Sequence, residues 1–193
     1  MAMIYKGLFC VNAAAVEKDG ETSVFCGTAG SGRSTAAARV ALEGGRIVTD
    51  SVARIDPEED GAKILPQGRG VLLWPDSLRR LGICEDQAAQ LRSDSQIRQV
   101  NLEQATSPQH IERIYWHNPH PATHRIEFKD DRTRDLSTSQ RFKRLALMTS
   151  GRLWIDPAGR SAEHSRWCLT IARKCLLQPA PPHFFGWADE LQA

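Results

Sequence analysis

The sequence predicts an α/β domain in which a mixed sheet is flanked by helices. Three observations near the amino terminus support this. Residues 22–26 form a short apolar run that leads into a glycine-rich turn. Residues 34–43 are rich in alanine and suit a helix packed closely on a sheet. Residues 46–50 form a second apolar run that ends in a carboxylate. Strands that alternate with a helix in this way are typical of a layered α/β fold.

The glycine-rich turn, GTAGSGRST at residues 27–35, has the spacing of a phosphate-binding loop, G-x-x-x-x-G-K-[ST], with arginine in place of the lysine. Its glycines allow a tight turn that presents successive backbone N–H groups to an anion. The helix predicted after the turn adds the positive end of its dipole. The turn therefore predicts a nucleotide-phosphate site made of Gly27, Gly30, Ser31, Gly32, Arg33, Ser34 and Thr35.

Two oxygen ligands for Mg²⁺ are predicted beside this turn. Ser34 occupies the position whose hydroxyl binds the metal in phosphate-binding loops, and Asp50 ends the next predicted strand. If the two strands are parallel, Asp50 reaches the same metal directly or through water. The expected cofactors are therefore a nucleotide and Mg²⁺. The alternative for Asp50 is a turn or helix-capping carboxylate.

Further elements follow from hydrophobic periodicity and turn residues. Pro75 suits the first turn of a short helix that ends at Leu81, with Gly82 closing it. In chain order the other predicted elements are strands at 3–10 and 11–17, extended chain at 51–55, an acidic turn at 56–61, extended chain at 63–65, a loop at 66–70, a helix at 85–91, extended chain at 96–102, an antiparallel pair at 111–116 and 124–128, and helices at 137–148 and 161–177.

Composition excludes several classes of protein. A net charge of +2, from 25 basic and 23 acidic residues, gives no reason to expect nucleic acid or a membrane surface as a partner. No stretch approaches the roughly 20 apolar residues of a membrane helix, and the first residues do not resemble a signal peptide. The five cysteines form no C-x-x-C pair, which favours free thiols in a cytoplasmic protein. We expect one domain over residues 1–193.

Other polar and aromatic residues have ordinary interpretations. The sequence HNPHPATH at 117–124 suggests a metal site, but its prolines prevent a helix, so a loop with exposed histidines is favoured. The five tryptophans are too widely spread for a stacking platform, which favours packing in the core or at its rim. Arg69, in a glycine-containing loop, could contact phosphate or substrate, although a solvated arginine is favoured.

Four segments together resemble a known family. They are NAAAV at 12–16, FCGTAGSGRSTAA at 25–37, GGRIVTDSVARID at 44–56 and LLWPDSLRRLG at 72–82. Their order is similar to that of the C-terminal catalytic domain of HPr kinase/phosphorylase and its short bacterial relatives. The resemblance is specific over about residues 9–83. It implies a P-loop variant fold akin to phosphoenolpyruvate carboxykinase, with ATP and Mg²⁺ donating a phosphoryl group to a serine of a protein or peptide. It also suggests assembly into a homo-oligomer.

Three positions depart from the family's pattern. Arg33 replaces the loop lysine, Asn12 replaces a histidine, and Ser51 replaces the second of two aspartates. The resemblance would place Asp50, Ser51 and Asn12 at the catalytic centre. A hydroxyl at 51 cannot act as the general base that the second aspartate supplies, and loss of such a base costs about 10²–10⁴ in rate. Two functions therefore stay open, a serine-directed phosphotransferase and a catalytically silent nucleotide-binding module. A different transfer reaction in the same pocket is a third.

Overall fold

The computed structural model describes residues 10–27, 30–58, 61–117 and 176–179. These residues form a mixed α/β structure with three sheets and two α-helices. The strands are β1 (Cys10–Val11), β2 (Ala13–Lys18), β3 (Glu21–Gly27), β4 (Arg46–Thr49), β5 (Ala53–Glu58), β6 (Gly61–Ile64), β7 (Val71–Leu73), β8 (Ala88–Gln90), β9 (Arg98–Val100), β10 (Gln109–His110), β11 (Arg113–His117) and β12 (Leu176–Pro179). The helices are α1 (Arg33–Leu42) and α2 (Pro75–Leu81), and Glu85–Gln87 forms one 3₁₀ turn.

A five-stranded sheet forms the centre, with the strand order β12-β11-β3-β2-β4. β2 pairs antiparallel with both β3 and β4, whereas β11 pairs parallel with β3 and β12. Because β3 and β4 both oppose β2, they point in the same direction, and their carboxyl ends lie at the same edge of the sheet. This places the glycine-rich turn after β3 and Asp50 after β4 at one edge.

Both faces of the central sheet are covered. The side chains of β2 alternate between the faces, with Ala14 and Val16 on one and Ala13 and Ala15 on the other. The first face packs on α1, α2 and the sheet β7-β9-β8, and its large buried members include Phe25, Ile47, Leu73 and Leu78. The second face packs on the sheet β1-β5-β6-β10, through Val24, Val48, Ile55, Ile64 and Ile114.

Helix α1 lies close to the sheet because its contact surface is made of small residues. Ala36, Ala37 and Ala38 are fully buried, and they meet the small side chains of β2. Glycine ends the helix, as expected, since Gly44 follows it with a φ of 97°. Predictions of this helix, of the strands on either side of it and of the Pro75–Leu81 helix are correct to within one or two residues.

Four predictions are wrong in part. Residues 85–91 form a 3₁₀ turn and then β8, because β8 hydrogen-bonds to β9. β5 continues to Glu58 and pairs with β6, which begins at Gly61, so four of the six residues of the predicted acidic turn are strand. Ser51 lies in a tight turn rather than extended chain. Leu176 and Leu177 belong to β12, which pairs with β11, rather than to a helix.

Several predicted elements lie outside the described residues. They are most of the first strand at 3–10, the strand at 124–128, and the helices at 137–148 and, up to residue 175, at 161–177. Within the described ranges, neither helix has the length and apolar character needed to cross a membrane.

Candidate functional site

The described part of the glycine-rich turn forms the entrance to α1. Gly30 and Gly32 have φ angles of 77° and 83°, a conformation that side chains other than glycine rarely adopt. Gly32 is the N-cap residue and provides no side-chain cap, and its carbonyl accepts the first helical hydrogen bond, from the Ala36 N–H at 2.9 Å. The N–H groups of a helix's first turn lack partners inside the helix, so they can bind an anion here.

Ser34 and Asp50 are in direct contact. The Ser34 hydroxyl donates a hydrogen bond of 2.7 Å to Oδ1 of Asp50. Asp50 is only 7% exposed, and its Oδ2 accepts the backbone N–H of Leu72 at 2.9 Å. The parallel directions of β3 and β4 bring these residues together from positions 16 apart in the chain. The structure therefore places both predicted residues beside the turn.

Ser51 lies in a strained turn beside Asp50. Its φ is 71°, and the Val52 N–H donates to the carbonyl of Asp50 at 2.9 Å. A hydrogen bond between residues i and i+2 around a residue with positive φ is the rarer, strained kind of γ-turn. The exposed Ser51 hydroxyl is 3.5 Å from Oδ2 of Asp50. The turn lies where the chain leaves β4, which is antiparallel to β2, and passes to β5, which is antiparallel to β1 on a different sheet.

Asn12 and Arg33 also meet at this edge. Nη1 of Arg33 donates a hydrogen bond of 2.8 Å to the backbone carbonyl of Asn12, which lies between β1 and β2. The contact uses the backbone of Asn12, so its amide side chain takes no part in it. The structure therefore places Asn12 next to the turn without assigning a role to its side chain.

Two further hydroxyl side chains in the described part of the turn differ in their surroundings. The Thr35 hydroxyl donates to the hydroxyl of Ser77 at 3.0 Å, and this joins the first turn of α1 to α2. Ser31 is 1% exposed, and its Oγ has no hydrogen-bond partner in the described part of the chain. A buried hydroxyl without a partner is uncommon and costly, and a ligand that provides one would remove that cost.

Two cavities open on this edge. The first, the loop cavity, has a volume of about 480 Å³ and lies between residues 30–35 of the turn and the segment that carries Trp74 and Ser77. The second, the Arg69 cavity, has a volume of about 490 Å³ and is lined by Arg54, Gln67, Arg69 and Leu91, among others. Ser51 and Leu72 line both cavities. The cavities therefore meet at the Asp50–Ser51 turn.

Sequence reasoning did not assign a site role to Leu72, Trp74 or Ser77. The contribution of Leu72 is a backbone N–H group, which leaves no signal in the residue type. Trp74 and Ser77 lie in a segment that resembles the family, but no role was attached to them. Their closeness in the sequence, on either side of Pro75, is the signal that could have placed them together.

The donor set at this edge suits a magnesium ion held mainly by phosphates and water. Ser34 and Asp50 supply hard oxygen ligands, which Mg²⁺ prefers, and it takes few protein ligands when it is bound with a nucleotide. In the described ranges no group of three or more His, Cys, Asp or Glu side chains could hold a metal by itself. Most of the histidine-rich segment at 117–124 lies outside those ranges.

Cys26 precedes the turn but is not a nucleophile. Complete burial raises the pKa of its thiol to about 12, despite the opposing effect of the Arg33 charge. Since the thiolate is the reactive form, this cysteine is inert at neutral pH. The prediction that it is a buried free thiol is confirmed.

Comparison with known proteins gives little beyond this geometry. No protein-family model and no curated protein sequence matches the chain. Among solved structures, the chain is similar to the Hpr(Ser) kinase/phosphatase from Coxiella burnetii, with 15% sequence identity and a TM-score of 0.36 over 56% of this chain. The match spans 64% of that structure, which is less than two thirds of its length. A likeness of this strength carries neither a family assignment nor a function for the chain.

Proposed function

We propose that this protein binds ATP with Mg²⁺ at residues 27–35 and transfers the terminal phosphoryl group to a serine of a protein or peptide. The observation that carries the proposal is the 2.7 Å contact between Ser34 and Asp50 at the entrance to α1. It combines a phosphate-binding turn, a helix N-terminus and two magnesium ligands in one place.

Each group at the site has a role in the proposed reaction. The N–H groups of residues 30–35 would bind the phosphates, and Arg33 would add positive charge beside them. Ser34 and Asp50 would hold the Mg²⁺ ion, which neutralises the negative charge that develops on the phosphates. Transfer breaks the bond between the terminal phosphorus and its bridging oxygen and forms a bond from phosphorus to the serine oxygen.

The acceptor would enter through the Arg69 cavity. This cavity meets the loop cavity at Ser51 and Leu72, so a hydroxyl bound there would approach the phosphates from the side opposite α1. Ser51 can orient that hydroxyl but cannot take its proton, so the proton would pass to water. Phosphoryl transfer depends mainly on positioning and on charge stabilisation, and it can proceed slowly without a dedicated base.

A second candidate is a nucleotide-binding module without transfer activity. Two observations favour it, the hydroxyl of Ser51 beside Asp50 and the hydrogen bond from Arg33 to Asn12. An arginine held by that carbonyl replaces the compact lysine charge that usually lies between the β- and γ-phosphates. Such a module would sense ATP or hold a partner protein.

Calorimetry and a turnover assay separate the two candidates. We expect the wild-type protein to bind Mg-ATP and Ser34→Ala to bind it at least tenfold more weakly, whereas the exposed control Ser93→Ala binds like the wild type. Phosphate transfer to a library of serine peptides, followed by mass spectrometry, then tests the reaction. Binding without transfer supports the nucleotide-binding module without transfer activity. An Arg33→Lys, Ser51→Asp double variant that gains transfer would indicate that this module is a kinase that has lost its activity. If the wild type does not bind Mg-ATP, both candidates are wrong.

A further inference from the structure

The wall of the loop cavity opposite the turn carries an exposed tryptophan. Trp74 is 51% exposed, although large aromatic side chains are usually well buried. It lines the same cavity as residues 30–35. The sequence favoured core or rim packing for it, and the structure places it at a rim where its ring meets solvent in the cavity.

Trp74 is held in place by a rigid element. Its carbonyl accepts the first hydrogen bond of α2, from the Leu78 N–H at 3.0 Å, and Leu78 itself is fully buried. Ser77 lies three residues further along and lines the same cavity as Trp74, and it accepts the hydrogen bond from Thr35. The backbone of Trp74 is therefore fixed about one helical turn from the contact between α2 and the phosphate-binding turn.

The two ends of the loop cavity differ in charge. The turn contributes Arg33 and the N-terminus of α1, both positive. The α2 wall contributes Asp76 and Arg80, whose opposite charges leave no net excess. Phosphates would therefore bind at the turn, and a neutral group would bind at the wall that carries Trp74.

The size of the cavity and an unpartnered hydroxyl also indicate a ligand. A volume of about 480 Å³ lies within the range of 300–1,000 Å³ that is typical of pockets for small organic ligands. Ser31, which also lines the cavity, is buried and has an Oγ without a partner in the described part of the chain. A hydrogen-bonding ligand in the cavity would satisfy this atom.

We infer that the loop cavity is a nucleoside phosphate site in which the base stacks on Trp74. This rests on the proposed function, and it goes further by making the base, and not only the phosphates, a source of affinity. Every base has a π face, so stacking on an indole ring distinguishes the bases poorly. The site accordingly accepts adenine and guanine nucleotides with similar affinity.

Calorimetry with two ligands tests this inference, because inorganic tripolyphosphate has the phosphates of ATP but no base. With Mg²⁺ present, Trp74→Ala should weaken ATP binding by roughly 5- to 100-fold and leave tripolyphosphate binding within twofold of the wild type. Trp74→Phe, which keeps a π face, should stay within a few-fold for both ligands. The control Leu42→Ala removes another exposed apolar side chain, outside the cavity, and should change neither affinity.

The outcomes are distinguishable. The inference is wrong if Trp74→Ala binds ATP like the wild type, if it weakens ATP and tripolyphosphate equally, or if the wild type prefers one purine by more than about tenfold. In those cases the phosphate site itself still stands. If the wild type binds neither ligand, the proposed function fails and this inference fails with it. Should Trp74→Ala not fold by circular dichroism, Trp74→Leu, which keeps an apolar side chain without a π face, replaces it.

Discussion

Asp50 is oriented before any ligand binds, because both of its carboxylate oxygens accept hydrogen bonds. Oδ1 takes the Ser34 hydroxyl, and Oδ2 takes the Leu72 N–H and lies near the Ser51 hydroxyl. A carboxylate held by a helix residue, a strand residue and its own neighbour has little rotational freedom to lose on binding a cation. Under the proposed function, this pre-organisation reduces the entropy that is lost when the cation binds.

The turn at Ser51 should be relieved by glycine. A positive φ costs a residue other than glycine of order 1–3 kcal/mol, whereas glycine adopts it freely but loses about 0.5–1 kcal/mol through greater entropy of the unfolded chain. We expect Ser51→Gly to raise the free energy of unfolding by about 0.5–1 kcal/mol and Ser51→Val to lower it by more than 1 kcal/mol. Urea denaturation measures both.

Ser51→Ala is the matched control for that prediction. Alanine keeps the Cβ atom and therefore the strain, and it removes only the hydroxyl that lies 3.5 Å from Asp50. Its stability should stay within about 0.5 kcal/mol of the wild type. If alanine stabilised the protein as much as glycine does, the backbone explanation would be wrong.

Sequence could not have identified this turn. Serine is compatible with extended chain, and nothing in the residues around position 51 requires a positive φ. The turn follows from the path of the chain between two sheets, which is a property of the whole fold. By contrast, the role of Gly30 and Gly32 could be predicted, because the glycine spacing of a phosphate-binding turn indicates where the backbone adopts positive φ angles.

Among the strands and helices, the hairpin of β2 and β3 depends on one buried carboxylate. Glu17 is 5% exposed and accepts the Gly20 N–H at 2.9 Å, and its other oxygen accepts Nε and Nη2 of Arg46 at 2.8 and 2.7 Å. These contacts fix the hairpin turn and join it to β4. The Gly20 hydrogen bond, with help from Arg46, lowers the pKa of Glu17 against the opposing effect of burial.

The lowered pKa predicts an acid-dependent loss of stability. A carboxyl whose pKa is lower in the folded state contributes stability above its unfolded value near 4.5, and that stability is lost as the pH falls through the folded pKa. Glu17→Gln should lower the free energy of unfolding at pH 7 by about 1–3 kcal/mol and should weaken the pH dependence below pH 4.5. Urea denaturation between pH 3 and pH 7 measures both effects.

Glu43→Gln is the control for this carboxyl. Glu43 is exposed, and its ion pair with Lys18 spans 3.7 Å, so its loss should change stability by less than about 0.5 kcal/mol at either pH. An unchanged pH dependence in Glu17→Gln would show that the hairpin carboxyl does not control acid stability.

The elements that sequence could predict are those with local causes. α1 was predictable from alanine content and flanking glycines, and α2 from Pro75 and Gly82. β8 was not, because its three residues carry no alternating pattern and are strand only through pairing with β9. β12 was not, because its parallel partner β11 lies about 60 residues earlier in the chain. Long-range pairing decides such short strands.

For the molecule as a whole, the order of the strands creates the site. β2 lies between β3 and β4 and is antiparallel to both. The turn after β3 and Asp50 after β4 therefore lie at one edge of the sheet, although β3 and β4 are not paired with each other. From the sequence, parallel directions of these strands are a condition for the metal site, and a strand is predicted at 11–17 without being placed between them. A second consequence is that α1 packs on the strand of small residues, β2, which brings the start of the helix within reach of β4.

The last prediction uses thermal unfolding to test ligand binding at the sheet edge that carries the glycine-rich turn and Asp50. A ligand that binds only the folded state stabilises it by about 2.7 kcal/mol at a concentration of 100 times its Kd, which raises the Tm of a protein of this size by roughly 5–10 °C. We expect ATP with Mg²⁺ to raise the Tm of the wild type more than ATP with EDTA does. Because Asp50 is the proposed charged metal ligand, Asp50→Asn should lose this magnesium-dependent increment, whereas Asp94→Asn, at an exposed carboxylate, should keep it. Differential scanning calorimetry measures all six shifts, two for each of the three proteins, and an equal increment in Asp50→Asn would place the metal elsewhere.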